Sequence, residues 1–167
     1  MGAVIRPMGA EDRAFVLAAW LRSYGDSESA LIATPRDAGH LVTCEACGVS
    51  RVAIANGRPK AGREYWHGQS QLVEALLRRA TTLVAESVVD GVEMLDGFAS
   101  YELSPRIVHF VYVRRSARGR GLARQLVAEL DGPGIVTYSH RTRTLSRARL
   151  PAHWRYSPYA TMEGFQP

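Results

Sequence analysis

A chain of 167 residues, 46% hydrophobic and 22% charged, has the composition of a soluble globular protein and can bury roughly 70% of its unfolded surface. No apolar run approaches the ~18 residues of a membrane span, which argues against a membrane helix. The net charge of +5 is uneven: residues 1–113 carry 11 basic against 13 acidic side chains, and residues 114–167 carry 10 arginines against 3 acids, a balance that suits an anionic ligand or nucleic acid.

Val4 to Pro7 reads as a short first strand closed by proline. The N-terminus has no apolar secretory core, so a cytoplasmic protein is expected, and it does not meet the myristoylation pattern. Gly9-Ala10-Glu11-Asp12 opens a helix that runs through Phe15, Val16, Ala19 and Trp20 to about Tyr24. Residues 25–62 concentrate Gly, Pro, Ser and Asp with weak periodicity and read as irregular with short helical pieces. They contain both cysteines, Cys44 and Cys47, whose single CxxC is half a zinc site; reduced thiols without a metal or redox role are the simpler reading, so no metal is assigned. Gln71 to Ala80 is a helix with Leu72, Leu76 and Leu77 on its buried side.

Thr82 to Glu86 and Met94 to Leu103 follow as second and third strands, joined by a hairpin with Asp90-Gly91 at its centre. Arg106 to Val113 is a fourth strand and Ile135 to Ser139 a fifth. Between them, a basic glycine loop leads into a helix whose Leu122, Leu126, Val127 and Leu130 share one face, ended by Asp131-Gly132-Pro133-Gly134. Arg141 to Leu150 reads as a short basic helix, and Trp154 to Phe165 as an aromatic end that contributes a last strand. There is no repeat and no linker, so residues 1–167 are expected to form a single domain.

The loop carries most of the chemistry. Glycines let backbone approach a ligand, the start of a helix offers unpaired N–H groups, and Arg118, Arg120 and Arg124 add charge, so phosphate is the expected guest. A Walker loop would need Gly-Lys-Ser/Thr, and no lysine follows Gly121. A dinucleotide fingerprint would need a third glycine where Arg124 stands, and βαβ repeats that the chain lacks.

Arg118-Gly119-Arg120-Gly121-Leu122-Ala123 matches Arg/Gln-x-x-Gly-x-Gly/Ala, and so resembles the acyl-CoA pyrophosphate loop of the GNAT acetyltransferase superfamily. The resemblance implies an α/β fold with a mixed central sheet whose fourth and fifth strands splay apart, flanked by helices. It implies acetyl-CoA as cofactor, its pantetheine arm along Phe110, Val111, Tyr112 and Val113 and its pyrophosphate at Arg118, Gly119, Arg120, Gly121, Leu122, Ala123 and Arg124. The segments Trp20 to Tyr24, Phe110 to Val113, Ser139 to Thr142 and Tyr156 to Tyr159 look like those of small GNAT-fold proteins encoded by tailed bacteriophages, which would make the site of action the host cytoplasm.

The chain departs from the family at its end. The usual Tyr four residues before a Gly-Phe pair is replaced by Ala160, with Tyr159 one residue off, which on a helix is a rotation of about 100°. Ser139-His140 stands where an Asn is usual. Acetyl transfer to an amine needs a base, because a lysine-type amine is neutral in only ~1 molecule in 10³ at pH 7. The candidates are His140 at the end of the fifth strand, His109 in the fourth, and Glu102 acting through water, with Tyr138 as a candidate acid. Alternation also allows His109 to face the core with Val111 and Val113.

The expectation is therefore an N-acetyltransferase with a small-molecule or protein amine as acceptor. The alternatives are a catalytically silent GNAT-fold protein acting through a protein partner, and nucleic-acid binding through the Arg-rich C-terminal third. A homodimer remains open.

Overall fold

Runs of Val, Leu, Ile and Phe bounded by Pro, Gly or Asp become adjacent strands in the computed structural model, which describes residues 2–26, 41–43, 50–52, 63–140, 145, 150–157 and 160. The elements are β1 (Val4–Pro7), α1 (Arg13–Asp26), β2 (Leu41–Thr43), β3 (Ser50–Val52), α2 (Arg63–Arg79), β4 (Thr81–Val89), β5 (Val92–Leu103), β6 (Arg106–Val113), α3 (Leu122–Leu126), β7 (Val136–Tyr138) and β8 (Trp154–Tyr156). Six strands form one mixed sheet in the order β1-β4-β5-β6-β7-β8. The pairs from β1 to β6 are antiparallel, and β6–β7 and β7–β8 are parallel. β2 and β3 make a separate small hairpin.

Each face of the sheet buries its own core. On one face, Trp20 and Val16 of α1 and Val73 and Leu76 of α2 close over Phe98 and Phe110. On the other, Leu122, Leu126 and Leu130 close over Tyr101, Val108 and Val136. Trp20 stacks on Phe110, with ring centroids 5.2 Å apart and planes 11° from parallel.

Several elements differ from the sequence reading, each for a local reason. α1 starts at Arg13 rather than Gly9, because Asp12 turns its carboxylate back onto the N–H of Gly9 at 2.8 Å. α2 starts at Arg63 rather than Gln71; residues 63–70 include Gly68 and show no regular apolar stripe, so their sequence does not announce a helix. The β4–β5 turn tightens to Asp90 and Gly91, at φ 52° and 79°, the left-handed pair that a two-residue hairpin requires. The helix after the glycine loop ends at Leu126 and continues as a 3₁₀ turn over Ala128–Leu130, although the four expected residues are all buried. Part of the stretch read as irregular is the β2–β3 hairpin. Most of the basic helix expected over 141–150, both cysteines, and the chain after residue 160 lie outside the described residues. No described helix is long and apolar enough to cross a membrane.

One charged cluster ties β1, α1 and β4 together. The half-buried Arg6 donates from Nη1 to Asp12 Oδ2 and from Nη2 to Glu86 Oε2, each at 2.6 Å. The Arg6 hydrogen bonds hold the Asp12 carboxyl below its ordinary 3.8, against the opposing effect of burial. A depressed folded pKa makes this stabilisation complete above the unfolded value and lost as pH falls through the folded one. Asp12→Asn should therefore cost about 2 kcal/mol at pH 7, the range for a hydrogen bond to a charged group. In urea titrations that deficit should shrink as pH drops below 3.8. A variant as stable as wild type at pH 7 would contradict the role given to Asp12.

Candidate active site: the cleft where two strands part

β6 and β7 run side by side for only two residue pairs, Ile107–Thr137 and Val108–Tyr138. One more bond, from Ser139 N–H to Val108 O at 3.0 Å, closes the pairing. Beyond it β6 continues to Val113 with no strand on this side among the described residues. Arg106 fixes the paired end: it donates to Leu130 O at 2.8 Å and to Pro133 O at 2.6 Å, holding the turn that leads into β7. The strands thus open from a pinned vertex.

A β-bulge sets what the open edge presents. Ser100 pairs with Phe110 and Tyr101 with Val108, so His109 is the extra residue, opposite nothing. The bulge breaks the alternation that would have put His109 on the same side as Val111 and Val113. It reverses the phase of β6, so that Val108 packs toward α3 while Phe110 packs toward α1. On the open edge, Val113 O accepts from Arg118 Nε at 3.0 Å. By the two-residue period Val111 turns its own N–H and C=O toward the same edge.

The opening is a cavity of about 690 Å³. Its walls are β6 from Val108 to Val113, the α1 face that includes Phe15, Ala19 and Ser23, and the far side formed by Tyr138, His140 and Trp154. Arg118 and Ala123 of the glycine loop close one end. Gly119 and Gly121 lie at φ 79° and 77°, where side chains are strained. A Cβ at Gly119 would meet nothing within 4 Å, and one at Gly121 only Gln125 Nε2 at 3.8 Å, so the space over the loop is open to a ligand. The five-residue α3 adds little macrodipole, and the loop amides and arginines carry any anion affinity.

Both imidazoles line the cavity and both are buried. The Ser23 hydroxyl lies 2.6 Å from Trp20 O, which takes its one proton, so His140 Nε2, 3.1 Å from Ser23 Oγ, must be the donor. The basic lone pair of His140 is thereby assigned to Nδ1. Burial pushes its pKa down to about 4, and it is neutral at pH 7. The ring stands edge-on to Phe110, 5.2 Å between centroids.

His109 is held differently. Its Nε2 donates to Glu102 Oε1 at 2.8 Å, and Arg79 Nε donates to the same oxygen at 2.8 Å. Its Nδ1 faces Ser139 Oγ across 3.5 Å. Burial lowers the His109 pKa, the Glu102 hydrogen bond and charge oppose, and the Arg79 charge adds to the lowering.

No protein-family model matches the chain, and no curated protein does. Among solved structures, two are similar at the level of shape. The apo form of YjaB from Escherichia coli is 20% identical with a TM-score of 0.43, over 77% of this chain and 64% of that one. A protein from Rhodopseudomonas palustris described as a GCN5-related N-acetyltransferase: aminotransferase, class-II, is also 20% identical with a TM-score of 0.43, over 78% of this chain and 64% of that one. The chain thus spans less than two thirds of either structure.

The site residues expected from sequence do not all meet in one place. Phe110 to Val113, Arg118, Ala123, Tyr138, His109 and His140 meet in the cleft. Gly119 and Gly121 form the exposed turn beside it, and Leu122 packs into the core. Arg120 lines a separate small hollow with Ser87 and Asp96, Arg124 lies 3.8 Å from Asp131 on the surface, and Glu102 sits behind His109. Ala160 is buried, and Tyr159 lies outside the described residues. Sequence reasoning assigned no role to Ser23, Arg79 or the bulge, since each acts across a tertiary contact with no local pattern.

The buried neutral His140 has a consequence for stability. Between pH 6.5 and about 4 the unfolded chain binds a proton that the folded imidazole refuses, so stability falls as pH drops through this window. The loss is about 1.4 kcal/mol per pH unit for one such group. Chemical denaturation of His140→Gln at pH 7, 6 and 5 should show a shallower pH slope than wild type; an identical slope would refute the assignment.

Proposed function

We propose that the chain is a GNAT-type N-acyltransferase, moving an acetyl group from acetyl-CoA to an amine, with residues 1–167 acting as one acyl-CoA-binding unit in the cytoplasm. The observation that carries the reading is the edge of β6 beyond Val108, which no described strand pairs, inside an apolar cleft that ends at a basic glycine loop. Buried backbone polar groups need partners, and an extended amide-bearing arm is the chemistry that supplies them. The residues fit such a ligand: Val111 offers N–H and C=O along the edge, and Gly121 leaves open space where a phosphate would sit beside Arg118.

Bound there, acetyl-CoA would supply an activated acyl group as a thioester. The N–H of Val111 would polarise the thioester carbonyl. His140 Nδ1 is too weak a base, at a pKa of about 4, to strip a free ammonium group. It is suited to the proton released once the amine nitrogen has begun to bond and has become acidic. His109, backed by Glu102 and Arg79, is the second base. Tyr138 is the hydroxyl in the cleft wall that can serve as acid in place of the residue lost at Ala160.

A second reading draws on Ala160 and on the depressed basicity of both histidines: a silent acyl-CoA-binding protein that acts through a protein partner. Thioester consumption against a broad amine panel separates the two, since cofactor binding without turnover would select the silent protein.

Calorimetric titration with acetyl-CoA should give saturable heat for wild type. Gly121→Glu, whose side chain would occupy the open space over the loop, should weaken binding by more than about tenfold, a loss of over 1.4 kcal/mol. Its fold should survive with a cost of about 1–2 kcal/mol for a left-handed non-glycine residue. Absence of heat with wild type at high micromolar acetyl-CoA would overturn the proposal.

A further inference from the structure

Resting on the acyltransferase reading, the chemistry of the cleft walls bears on which amine is acetylated. Among the described residues that line the cavity, the charged side chains are Arg22 and Arg118, and none is a carboxylate. Arg118 belongs to the glycine loop and is engaged with Val113 O. Arg22 stands on another wall, on α1, exposed at the cavity and in no ion pair among the described residues. Its chain neighbour Ser23 receives the Nε2 proton of His140, so the same turn of α1 presents a guanidinium and fixes the imidazole. One turn back, Ala18 and Ala19 leave room, with Phe15 beyond them.

The rest of the described lining is mostly aromatic and aliphatic, with Phe15, Tyr112, Leu145 and Trp154 among it. A polyamine, an aminoglycoside or the lysine of a basic peptide would bring further positive charge to a wall whose described residues offer guanidinium groups and no carboxylate.

We propose that the acceptor is an α-amino acid with an apolar or aromatic side chain, its carboxylate held by Arg22 and its side chain lying against the apolar wall. An arginine fork matches a carboxylate with two parallel hydrogen bonds. In the reaction the amino nitrogen forms a bond to the acyl carbon, the C–S bond breaks, and the sulfur leaves with the electron pair. The proton shed by the neutral amine passes to the sulfur through the cleft base, giving the N-acetyl amino acid and free thiol; an acceptor that arrives as ammonium releases one further proton to solvent.

The test compares L-phenylalanine, L-leucine and L-methionine with their decarboxylated counterparts phenethylamine, isoamylamine and 3-(methylthio)propylamine, and with spermidine. Thiol release from acetyl-CoA is followed, and acetyl-CoA affinity is measured alongside by calorimetry. At least one amino acid should exceed its decarboxylated partner in kcat/KM by about tenfold or more, as expected for a charge-assisted bidentate contact. Spermidine should be the poorest acceptor. Arg22→Ala should collapse the preference toward unity, mainly through KM, and Arg22→Lys should restore part of it. Equal or faster acetylation of the decarboxylated amines or spermidine, or an undiminished preference in Arg22→Ala, would overturn this inference while leaving the acyltransferase reading in place. No acetyl-CoA binding, or binding with no thiol release from any amine, would overturn the enzyme reading and this inference with it.

Discussion

A strand edge that no described strand pairs is the constraint on which the rest of this molecule depends. Backbone N–H and C=O groups are costly to leave unpaired away from water, and sheets normally continue until an edge is exposed or covered. Here β7 pairs with β6 for two residues and then departs, leaving the later part of β6 lining an apolar cavity. The surrounding structure keeps that edge open. Arg106 pins the paired end, Trp20 stacks on Phe110 to hold α1 across the gap, and the glycine loop folds back through Arg118 onto Val113. The bulge at His109 sets which backbone groups face the opening. Without that one extra residue, Phe110 and Val111 would exchange faces, and both the stack with Trp20 and the phase of the open edge would be lost.

The electrostatics of the cleft follow from burial more than from formal charge. Desolvation favours the neutral form of both imidazoles, and for His140 burial is the cause of the shift. For His109 the Glu102 carboxylate would restore basicity, but Arg79 shares the same oxygen and draws part of that effect away. The cleft therefore holds neutral imidazoles, with the guanidinium groups of Arg22 and Arg118 also on its walls.

What the sequence made legible was local. The run Arg106 to Val113 is almost continuously apolar and rich in valine, and is bounded by Pro105 and the basic loop, so its ends could be read directly. Asp90-Gly91 encodes its turn in two residues, because both central positions need positive φ. The glycine loop is a local conformation too. The β2–β3 hairpin was hidden because three-residue strands carry too little periodicity to register. The first half of α2 was hidden because Gly68 and the absence of a regular apolar stripe over residues 63–70 gave no helix signal. The His140–Ser23 contact joins residues 117 positions apart, and the bulge arises from the register between two strands, so neither leaves a trace in a window of sequence. Candidate residues could thus be gathered from sequence, but not their tautomers, their partners, or the separation of Arg120 and Arg124 from the cavity.

The central claim is that the open edge of β6 accepts an extended ligand as an added strand. Site-resolved amide hydrogen exchange with and without acetyl-CoA addresses it most directly, because a newly hydrogen-bonded amide exchanges more slowly. The account predicts added protection at Val111 and Val113 and in the Gly119–Ala123 loop. It predicts little change at Tyr112, whose backbone faces β5 by the same alternation that turns Val111 outward. Saturating acetyl-CoA that leaves Val111 and Val113 exchanging at their free rates would contradict it.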